Sequence, residues 1–398
     1  MSVGVCIINR NGIALAADSA GTFTGNKMFY NSMNKVFALS KEKPYGAITY
    51  GSTAIYNVGI EQILKEFTIY LADKDVLDFY EIETLFVDFI KEKQEYYRFD
   101  GEENLLCSSL IKELVVDWGN KIKSIINEED SKQKINDILE ALKKHIDESL
   151  RIENFDVSEY VHKKYASIFD LILGVVVPEL RDYAEEKEFF WDLISQYFNL
   201  SLQIETSNSM GLFFAGYGQN DAFPKFIHLD IYTVINGQLK YRIKDKFDES
   251  NNGAKIVSLA QGDVIMTFCK GISEYFINYI PQKVDEVITR KINSLQPECT
   301  QEQMQKVKAN INGCGKEIYD IIQSVSQEKN INPLLASVQL IPIPEMAMLA
   351  ENLINITSLK RTFSLDGNQQ TVGGPTDVAI ITKPDGFSWI KKKQLNKD

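Results

Sequence analysis

The sequence predicts an α+β fold in which helices pack on antiparallel sheets. Along the chain the predicted elements run strands, helices, strands, helices, strands, which differs from the strand–helix alternation of parallel-sheet proteins. Of the 398 residues, 44% are hydrophobic and 25% are charged. That balance is typical of a globular protein and not of a disordered or coiled-coil chain.

Strand patterns are dense in the first fifty residues. Apolar residues alternate over 3–8, Asn-Arg-Asn-Gly at 9–12 is typical of a turn, and an apolar run over 13–17 indicates a buried strand. Together these segments predict a hairpin. Two further short strands are predicted at 35–39 and 47–50.

Two long helical regions interrupt the strands. A helix is predicted to begin at Gly51 and Ser52, with Ser52 as its N-cap, because the apolar residues that follow recur at helical spacing. From 72 to 205 the sequence becomes rich in charged residues and is read as a helical insertion. A second helical stretch is predicted over 263–326, and charged faces of this kind are as typical of solvated surface as of an interface.

The remaining elements lie between and after these helical regions. Asn236-Gly237 is a turn pair typical of a tight hairpin. A helix is predicted over 345–360. The remaining predicted strands are 210–217, 225–234, 238–243, 377–382 and 387–390.

Composition and charge exclude several classes of protein. The net charge of −12 argues against a nucleic-acid-binding surface. The longest apolar run, 171–177, is far shorter than the roughly 20 residues that span a bilayer. Residues 1–5 lack the basic segment and hydrophobic core of a secretory signal. We therefore expect a cytoplasmic protein that binds neither nucleic acid nor membrane.

The cysteines and histidines indicate neither a disulfide framework nor a metal site. An odd number of cysteines without a CxxC pair predicts reduced core thiols, and no cofactor or metal is predicted. The histidines, His145, His162 and His228, do not pair at metal-ligand spacing. Hydrolytic chemistry here would need a base other than histidine. The five cysteines are Cys6, Cys107, Cys269, Cys299 and Cys314.

Ser2 is a candidate nucleophile at the start of the first strand. Removal of Met1 would give Ser2 a free α-amine, whose ordinary pKa is about 7.7–8.0, so the amine can accept the hydroxyl proton near neutral pH. This chemistry needs no histidine. The alternative is that a small residue simply follows the initiator methionine, as is common.

Asp18, Lys35 and Gly51 are the candidate partners of that serine. Asp18 ends an apolar strand and Lys35 begins another, so a Lys35 cation paired with Asp18 would lower the pKa values of the amine and the hydroxyl. Gly51, at a strand end, would offer its N–H to an oxyanion. Each residue also has an alternative reading without a catalytic role: Asp18 as a solvated turn residue, Lys35 as a surface charge and Gly51 as a turn glycine.

Three regions of the sequence resemble a known family. The segments 2–5, 11–19, 34–37 and 50–54 resemble the N-terminal half of proteasome β-type subunits, within the N-terminal nucleophile (Ntn) hydrolases, and are especially similar to the bacterial ancestral β-subunit (Anbu) branch. The segments 213–217 and 224–229 resemble the central hairpin of the family, and 371–381 resembles its C-terminal strand.

The resemblance implies a four-layer αββα sandwich with large helical insertions. It also implies that Ser2 is the nucleophile, Asp18 and Lys35 are its charged partners, and Gly51 is the oxyanion donor of an oligomeric peptidase acting on peptide or protein substrates. Family members usually have threonine as nucleophile, and serine keeps the hydroxyl. The family's further serine and aspartate have no clean match, so Ser258 and Asp366 are assigned no role.

The resemblance divides the chain into core and inserted segments. The Ntn core is predicted at 1–71, 206–262 and 341–398, and the helical insertions at 72–205 and 263–340. The lysines at 391–393 are read as a solvated tail.

The sequence is also compatible with two other functions. The same fold with an inactive site would serve as a scaffold or a binding module, and retention of Met1 would favour that reading. An active site that hydrolyses small amides instead of peptides is the third possibility.

Overall fold

The structure is a computed structural model, and it describes residues 2–23, 28–40, 42–126, 128–148, 155–204, 209–248, 253–294, 314–363 and 373–393. Contacts divide the chain into two compact units. Unit 1 comprises Met1–Tyr50, Ala215–Phe226 and Phe247–Asp398, and unit 2 comprises Gly51–Phe214 and Ile227–Lys246. The five-segment division of core and insertions stays a prediction.

The strands pair antiparallel in every register that the structure gives, which confirms the predicted α+β class. The strands are β1 (Val3–Asn9), β2 (Gly12–Ala17), β3 (Gly21–Phe23), β4 (Met28–Tyr30), β5 (Val36–Ala38), β6 (Tyr45–Gly51), β7 (Ala54–Ile55), β8 (Val58–Gly59), β9 (Met210–Gly216), β10 (Lys225–Ile235), β11 (Gln238–Asp248), β12 (Ala254–Ala260), β13 (Asp377–Thr382) and β14 (Gly386–Lys391).

Helices fill most of the chain between β8 and β9 and again between β12 and β13. The helices are α1 (Ile60–Ala72), α2 (Glu81–Tyr97), α3 (Phe99–Lys123), α4 (Ser131–Glu148), α5 (Ser158–Lys164), α6 (Ala166–Val176), α7 (Ala184–Ile204), α8 (Asp263–Lys270), α9 (Glu274–Ser294), α10 (Cys314–Ser326), α11 (Asn332–Leu340) and α12 (Ile343–Phe363). Short 3₁₀ and π segments lie at Pro178–Asp182 and Gln327–Ile331.

Unit 1 is built on a five-stranded sheet with the order β12–β1–β2–β13–β14. The predicted hairpin of β1 and β2 is confirmed, and its last pair is Asn9 opposite Gly12. Every residue of both strands is buried, because one face packs on α12 and the other faces β5 and β6. On that second face the Cβ position of Gly4 lies 3.3 Å from the Ile48 side chain. Coverage on both faces explains the continuous apolar sequence.

Strand β12 is absent from the sequence-based prediction. It pairs with β1 over its whole length, from Val3 opposite Ala260 to Asn9 opposite Ala254. Lys255 and Ser258 interrupt its apolar pattern, and both are half-buried at the sheet edge. Because apolar and polar residues do not alternate regularly here, the sequence pattern does not predict a strand.

The predicted start of helix α1 is wrong. The helix begins at Ile60, and the short hairpin of β7 and β8 lies between it and Ser52. The Ser52 hydroxyl donates to the carbonyl of Ala54 at 2.9 Å and caps no helix. Ile55 and Val58 are three residues apart, as on a helix face, but they are paired across the hairpin.

Unit 2 has a helical core built from α3 to α7, with a smaller aromatic cluster at α1 and α2. In that cluster Phe67 contacts Phe86, Phe89 and Phe214, the last of which lies on β9. The hairpin of β10 and β11 turns at Asn236-Gly237, where φ is +50° and +69°, as a tight turn of the predicted kind requires.

A buried carboxylate joins this hairpin turn to the helices. Glu103 accepts hydrogen bonds from Tyr160 at 2.5 Å, Lys164 at 2.9 Å and the Asn236 N–H at 2.7 Å. Burial alone would raise the pKa of Glu103, but these hydrogen bonds outweigh it and lower that pKa. The ionised carboxylate therefore fixes the turn against α3 and α5.

Unit 2 also contains a buried lysine, from which we predict a dependence of stability on pH. Lys240 is fully buried, donates to the Asn199 carbonyl and lies 4.8 Å from the Phe155 ring centre. Burial lowers the pKa of Lys240 to about 7, below the value of about 10.4 in an unfolded chain. Between these values the unfolded chain binds the proton and the folded chain does not, so stability rises with pH.

We expect the free energy of unfolding to rise by about 1 kcal/mol between pH 7.5 and 8.5 from this group alone. Urea titrations of the wild type and Lys240→Met at both pH values isolate that contribution. The substitution should remove the rise and leave other pH effects in place. Identical pH slopes in the two proteins would contradict a neutral Lys240 in the fold.

No helix in the described ranges is both long and apolar enough to cross a membrane. The prediction of reduced core thiols is confirmed for Cys6, Cys107 and Cys269, which are free and buried, while Cys314 is free and half-buried. Burial raises the pKa of Cys107 and of Cys269 to about 11. Cys299 lies outside the described residues.

Candidate active site

Asp18 is the centre of a buried polar cluster in unit 1. It follows the last residue of β2 and is 1% exposed. Oδ1 accepts hydrogen bonds from the Val3 N–H at 3.0 Å and from Lys35 Nζ at 2.5 Å. Oδ2 accepts from the N–H groups of Ala20 at 3.3 Å and Gly373 at 3.1 Å. Four donors on one carboxylate compensate the loss of water around its charge.

Lys35 forms a buried ion pair with Asp18, as predicted for two strand-end residues. It immediately precedes β5, and its side chain is 7% exposed. Its carbonyl accepts from the Thr49 N–H on β6, which fixes the backbone of the lysine against the neighbouring strand. Burial and the nearby charge of Lys393 lower the pKa of Lys35, while the charge and hydrogen bond of Asp18 oppose that shift.

Ser2 stands at the N-terminal end of β1, beside this ion pair. The N–H of the next residue, Val3, donates to the same Asp18 oxygen that accepts from Lys35. The Ser2 carbonyl accepts from the Gln261 N–H at 3.1 Å, so β12 and the loop after it also hold this end of the chain. Ser2 is 9% exposed. Met1 lies outside the described residues.

A segment just before β13 completes the cluster. Gly373 donates its N–H to Asp18 Oδ2 and accepts the Ser19 N–H at 3.3 Å. The Ser19 hydroxyl donates to the Pro375 carbonyl at 2.7 Å. These contacts tie the residues around Asp18 to a part of the chain more than 350 positions away. Local sequence patterns cannot indicate such pairing.

The expectation of a solvated tail at 391–393 is wrong for its last residue. The Lys393 side chain is 3% exposed and forms an ion pair with Asp377 at 2.7 Å. Lys391 and Lys392 are exposed, as predicted. Burial of Lys393 depends on the hairpin of β13 and β14, whose register brings the end of β14 back to the start of β13. Three consecutive lysines give no local sign of that difference.

Ser258 remains without a role. It lies on β12 opposite Val5, and its Oγ is 2.2 Å from where a Cβ on Gly262 would stand. The glycine therefore makes room for this serine at the beginning of α8. Asp366 lies outside the described residues.

Gly51 belongs to unit 2. Its φ is +80°, a backbone conformation that favours glycine. A Cβ at this position would stand 2.4 Å from the carbonyl oxygen of Ser209, and the next N–H, that of Ser52, donates to the same oxygen at 3.3 Å. The predicted glycine requirement therefore has a local physical cause, and the oxyanion role of Gly51 stays a prediction.

We expect Gly51→Ala to lower the free energy of unfolding by at least about 1–2 kcal/mol, because alanine disfavours positive φ and its Cβ would meet the Ser209 carbonyl. Gly59→Ala is the matched control in the same unit, with no atom near its Cβ position and an ordinary extended backbone. The control should stay within about 0.5 kcal/mol of the wild type. Urea denaturation followed by circular dichroism measures both variants, and equal stabilities would contradict the strain.

The described residues contain no candidate metal-ligand cluster. Across the described parts of the chain, no group of three or more His, Cys, Asp or Glu side chains is arranged to hold a metal ion. All three histidines, at 145, 162 and 228, belong to unit 2, whereas Asp18 and Lys35 belong to unit 1.

Comparison with known proteins finds structures but no sequence relatives. No protein-family model and no curated protein matches the chain. Solved structures that match include the Anbu (Gly-1) mutant from Hyphomicrobium sp. strain MC1, with TM-score 0.37, 9% identity, and coverage of 100% of this chain and 88% of that one. Anbu (ancestral beta-subunit) from Yersinia bercovieri matches with TM-score 0.37, 10% identity, and coverage of 98% and 87%.

A second Anbu structure from Hyphomicrobium sp. strain MC1 gives TM-score 0.33, 10% identity, and coverage of 100% and 88%. These three structures carry the name of the Anbu branch, which the sequence segments resemble. TM-scores below 0.5 carry no information about the chemistry of this chain.

Proposed function

We propose that the protein is an N-terminal nucleophile hydrolase that cleaves peptide bonds with Ser2 after removal of Met1. The observation that supports this function is the buried Lys35–Asp18 ion pair, whose shared oxygen also accepts the N–H of the residue after Ser2. A buried ion pair costs desolvation energy, so its position beside a terminal hydroxyl favours a functional role over a purely stabilising one.

In the first step Ser2 Oγ attacks the carbonyl carbon of the scissile amide. The hydroxyl proton passes to the α-amine of Ser2, and the carbonyl oxygen becomes an oxyanion. The protonated amine then gives its proton to the leaving nitrogen as the carbon–nitrogen bond breaks. The products of this half-reaction are a free amine and an ester on Ser2.

In the second step water attacks the ester. The α-amine accepts a proton from water, the tetrahedral intermediate collapses, and the ester oxygen recovers the proton as the carboxylic acid leaves. Ser2 and its amine return to their starting states. One nitrogen thus serves as base and acid in turn, which accounts for a hydrolytic site without histidine.

Lys35 supplies the electrostatic part of this proposal. Its ammonium stabilises the developing alkoxide on Ser2 and lowers the pKa of the neighbouring α-amine through like-charge repulsion. Asp18 keeps that ammonium charged and in place at 2.5 Å. Gly51 is the proposed oxyanion donor through its backbone N–H. Together these roles extend the proposal to Ser2, Asp18, Lys35 and Gly51.

The proposal extends to the substrate, the cellular location and the oligomeric state. We propose peptide or protein substrates, a cytoplasmic location and a homo-oligomer, and no bound cofactor takes part in any step above. Turnover of short peptides against acylated small amides distinguishes the peptidase from the amidase. Sedimentation velocity of the purified protein measures the oligomeric state.

The decisive experiment combines intact mass with covalent labelling. Mass spectrometry of the purified protein should show loss of one methionine, and an acylating probe directed at nucleophilic hydroxyls should label Ser2 in the peptide map. Acetylation of the α-amine before labelling is the control and should prevent it. Retention of Met1, or labelling at another serine with Ser2 unmodified, would overturn the proposed function and favour an inactive scaffold.

A further inference from the structure

Lys393 is a further lysine of unit 1, besides Lys35 and Lys225, whose side chain is buried, and three oxygen atoms accept hydrogen bonds from its Nζ. Nζ donates to Ser19 Oγ at 3.1 Å, to the Met33 carbonyl at 2.6 Å and to Asp377 Oδ2 at 2.7 Å. The backbone N–H of Lys393 donates to the other oxygen of Asp377 at 2.8 Å. Both carboxylate oxygens of the buried Asp377 therefore accept hydrogen bonds from Lys393.

The three partners of Lys393 flank the Asp18–Lys35 pair on each side. Ser19 directly follows Asp18 in the chain, and Met33 lies two residues before Lys35. The third partner, Asp377, is paired across the sheet with Ala17, the residue before Asp18. The N–H of Met33 also donates to the Ser19 carbonyl at 3.0 Å, so one short network connects the backbones around both charged residues.

Lys393 differs in burial from the two lysines that precede it. The neighbouring Lys392 lies over the Trp389 ring at 4.8 Å, and Lys391 pairs with Glu351 on the exposed face of α12. Both of those lysines reach water, whereas Lys393 is withdrawn from it. Burial of an ammonium costs desolvation free energy, and here three hydrogen bonds and the Asp377 carboxylate offset that cost.

We propose that Lys393 is a positioning residue for the reaction at Ser2: it fixes the backbones on which Asp18 and Lys35 are placed and adds a positive charge beside their ion pair. This inference rests on the proposed function. Lys393 touches neither substrate nor reacting atoms in this role, and it acts through Ser19, Met33 and Asp377.

The positive charge of Lys393 lowers the pKa of Lys35. The charged groups that act on Lys35 are Asp18, which raises its pKa, and Lys393, which lowers it, in addition to the lowering by burial. Replacing Lys393 by a neutral residue removes one of the lowering effects, so the pKa of Lys35 rises. If Lys35 must be an ammonium for turnover, activity at high pH is then lost at a higher pH than in the wild type.

The test compares Lys393→Met with the wild type in full-length protein, using a fluorogenic peptide substrate. We expect kcat per folded molecule to fall at least tenfold, KM to stay within about twofold, and the alkaline limb of the kcat profile to move upward. Lys393→Arg keeps the charge and should leave the alkaline limb in place. Lys392→Met is the matched control and should leave kcat, KM and the pH profile unchanged.

A merely structural role predicts different results. Lys393→Met would then lower the folded fraction and leave kcat per folded molecule and the alkaline limb unmoved, which would overturn the inference. If Lys393→Met does not fold, Ser19→Ala takes its place: it removes the Oγ contacts with Lys393 Nζ and the Pro375 carbonyl and leaves the Asp377 pair intact. A kcat at least threefold lower at constant KM supports the inference, and an unchanged kcat contradicts it.

Failure of the two proposals can be told apart. A wild-type protein that neither turns over substrate nor reacts at Ser2 overturns the proposed function, and the inference about Lys393 falls with it. An active wild type whose kcat and alkaline limb are the same in Lys393→Met overturns only the inference. The proton-coupled ¹⁵N signal of Lys35 Nζ gives its pKa directly, and an unchanged value in Lys393→Met would also overturn it.

Discussion

Ser2→Ala is expected to lower amide-bond turnover by at least about 10³-fold while the fold stays intact. The substitution removes only the hydroxyl that attacks the substrate. The backbone contacts of this end, from Val3 to Asp18 and from Gln261 to the Ser2 carbonyl, remain possible in the variant. Initial rates on peptides and on small acylated amides, with circular dichroism of both proteins, measure the effect.

Two further variants separate the nucleophile from other serines. Ser2→Thr restores a hydroxyl at the same position and should retain turnover. Ser258→Ala removes the serine on β12 and should leave the rate within a few-fold of the wild type, because that residue has no role in the proposed reaction. Undiminished hydrolysis in Ser2→Ala would reject the mechanism, and a comparable loss in Ser258→Ala would move the nucleophile to β12.

The pair of Asp18 and Lys35 could be predicted from local sequence because each residue stands at a strand boundary. The apolar run before Asp18 ends abruptly, and the short strand after Lys35 begins at once, so the sequence predicts an ion pair between these two strand-end residues. In the structure Lys35 Nζ lies 2.5 Å from Asp18 Oδ1. Charged residues directly beside buried strands are the kind of local conflict that marks functional positions.

The contribution of distant segments could not be predicted. Gly373 and Lys393 enter the cluster through the β13–β14 hairpin, whose place beside β2 is set by the register of Asp377 opposite Ala17. The hydrophobic pattern of a short stretch of sequence does not predict which residues of two distant strands pair. The edge strand β12 was missed for a related reason, because Lys255 and Ser258 break its apolar alternation and its pairing with β1 is set by a distant segment.

The start of α1 shows how one spacing fits two structures. Ile55 and Val58 have the separation of neighbours on a helix, and the same two residues face each other across a two-residue hairpin turn. Tyr56 in that turn has φ of +52°, which no helix contains. Since tyrosine is not a residue expected at positive φ, position 56 itself gives no turn signal.

Asp18→Asn is expected to lower the free energy of unfolding by about 3 kcal/mol or more, because it leaves the Lys35 ammonium buried without a counter-charge. Turnover per folded molecule should also fall at least about 10²-fold, since an uncompensated Lys35 is more easily deprotonated and then stabilises no alkoxide. Urea denaturation gives the first quantity. Active-site titration followed by rate measurement gives the second.

Asp221→Asn is the matched control, because it breaks another buried lysine–aspartate pair in unit 1. Asp221 accepts from Lys225 Nζ at 2.7 Å and from the Gly218 N–H at 2.8 Å, in side chains about as buried as the Asp18 pair. Asp248 lies 3.8 Å from the same Nζ and retains part of the counter-charge, so the stability loss should be somewhat smaller. Turnover per folded molecule should be unchanged in this control. If both variants lose turnover only in proportion to their folded fraction, the Asp18–Lys35 pair is structural, and the proposed electrostatic role of Lys35 is wrong.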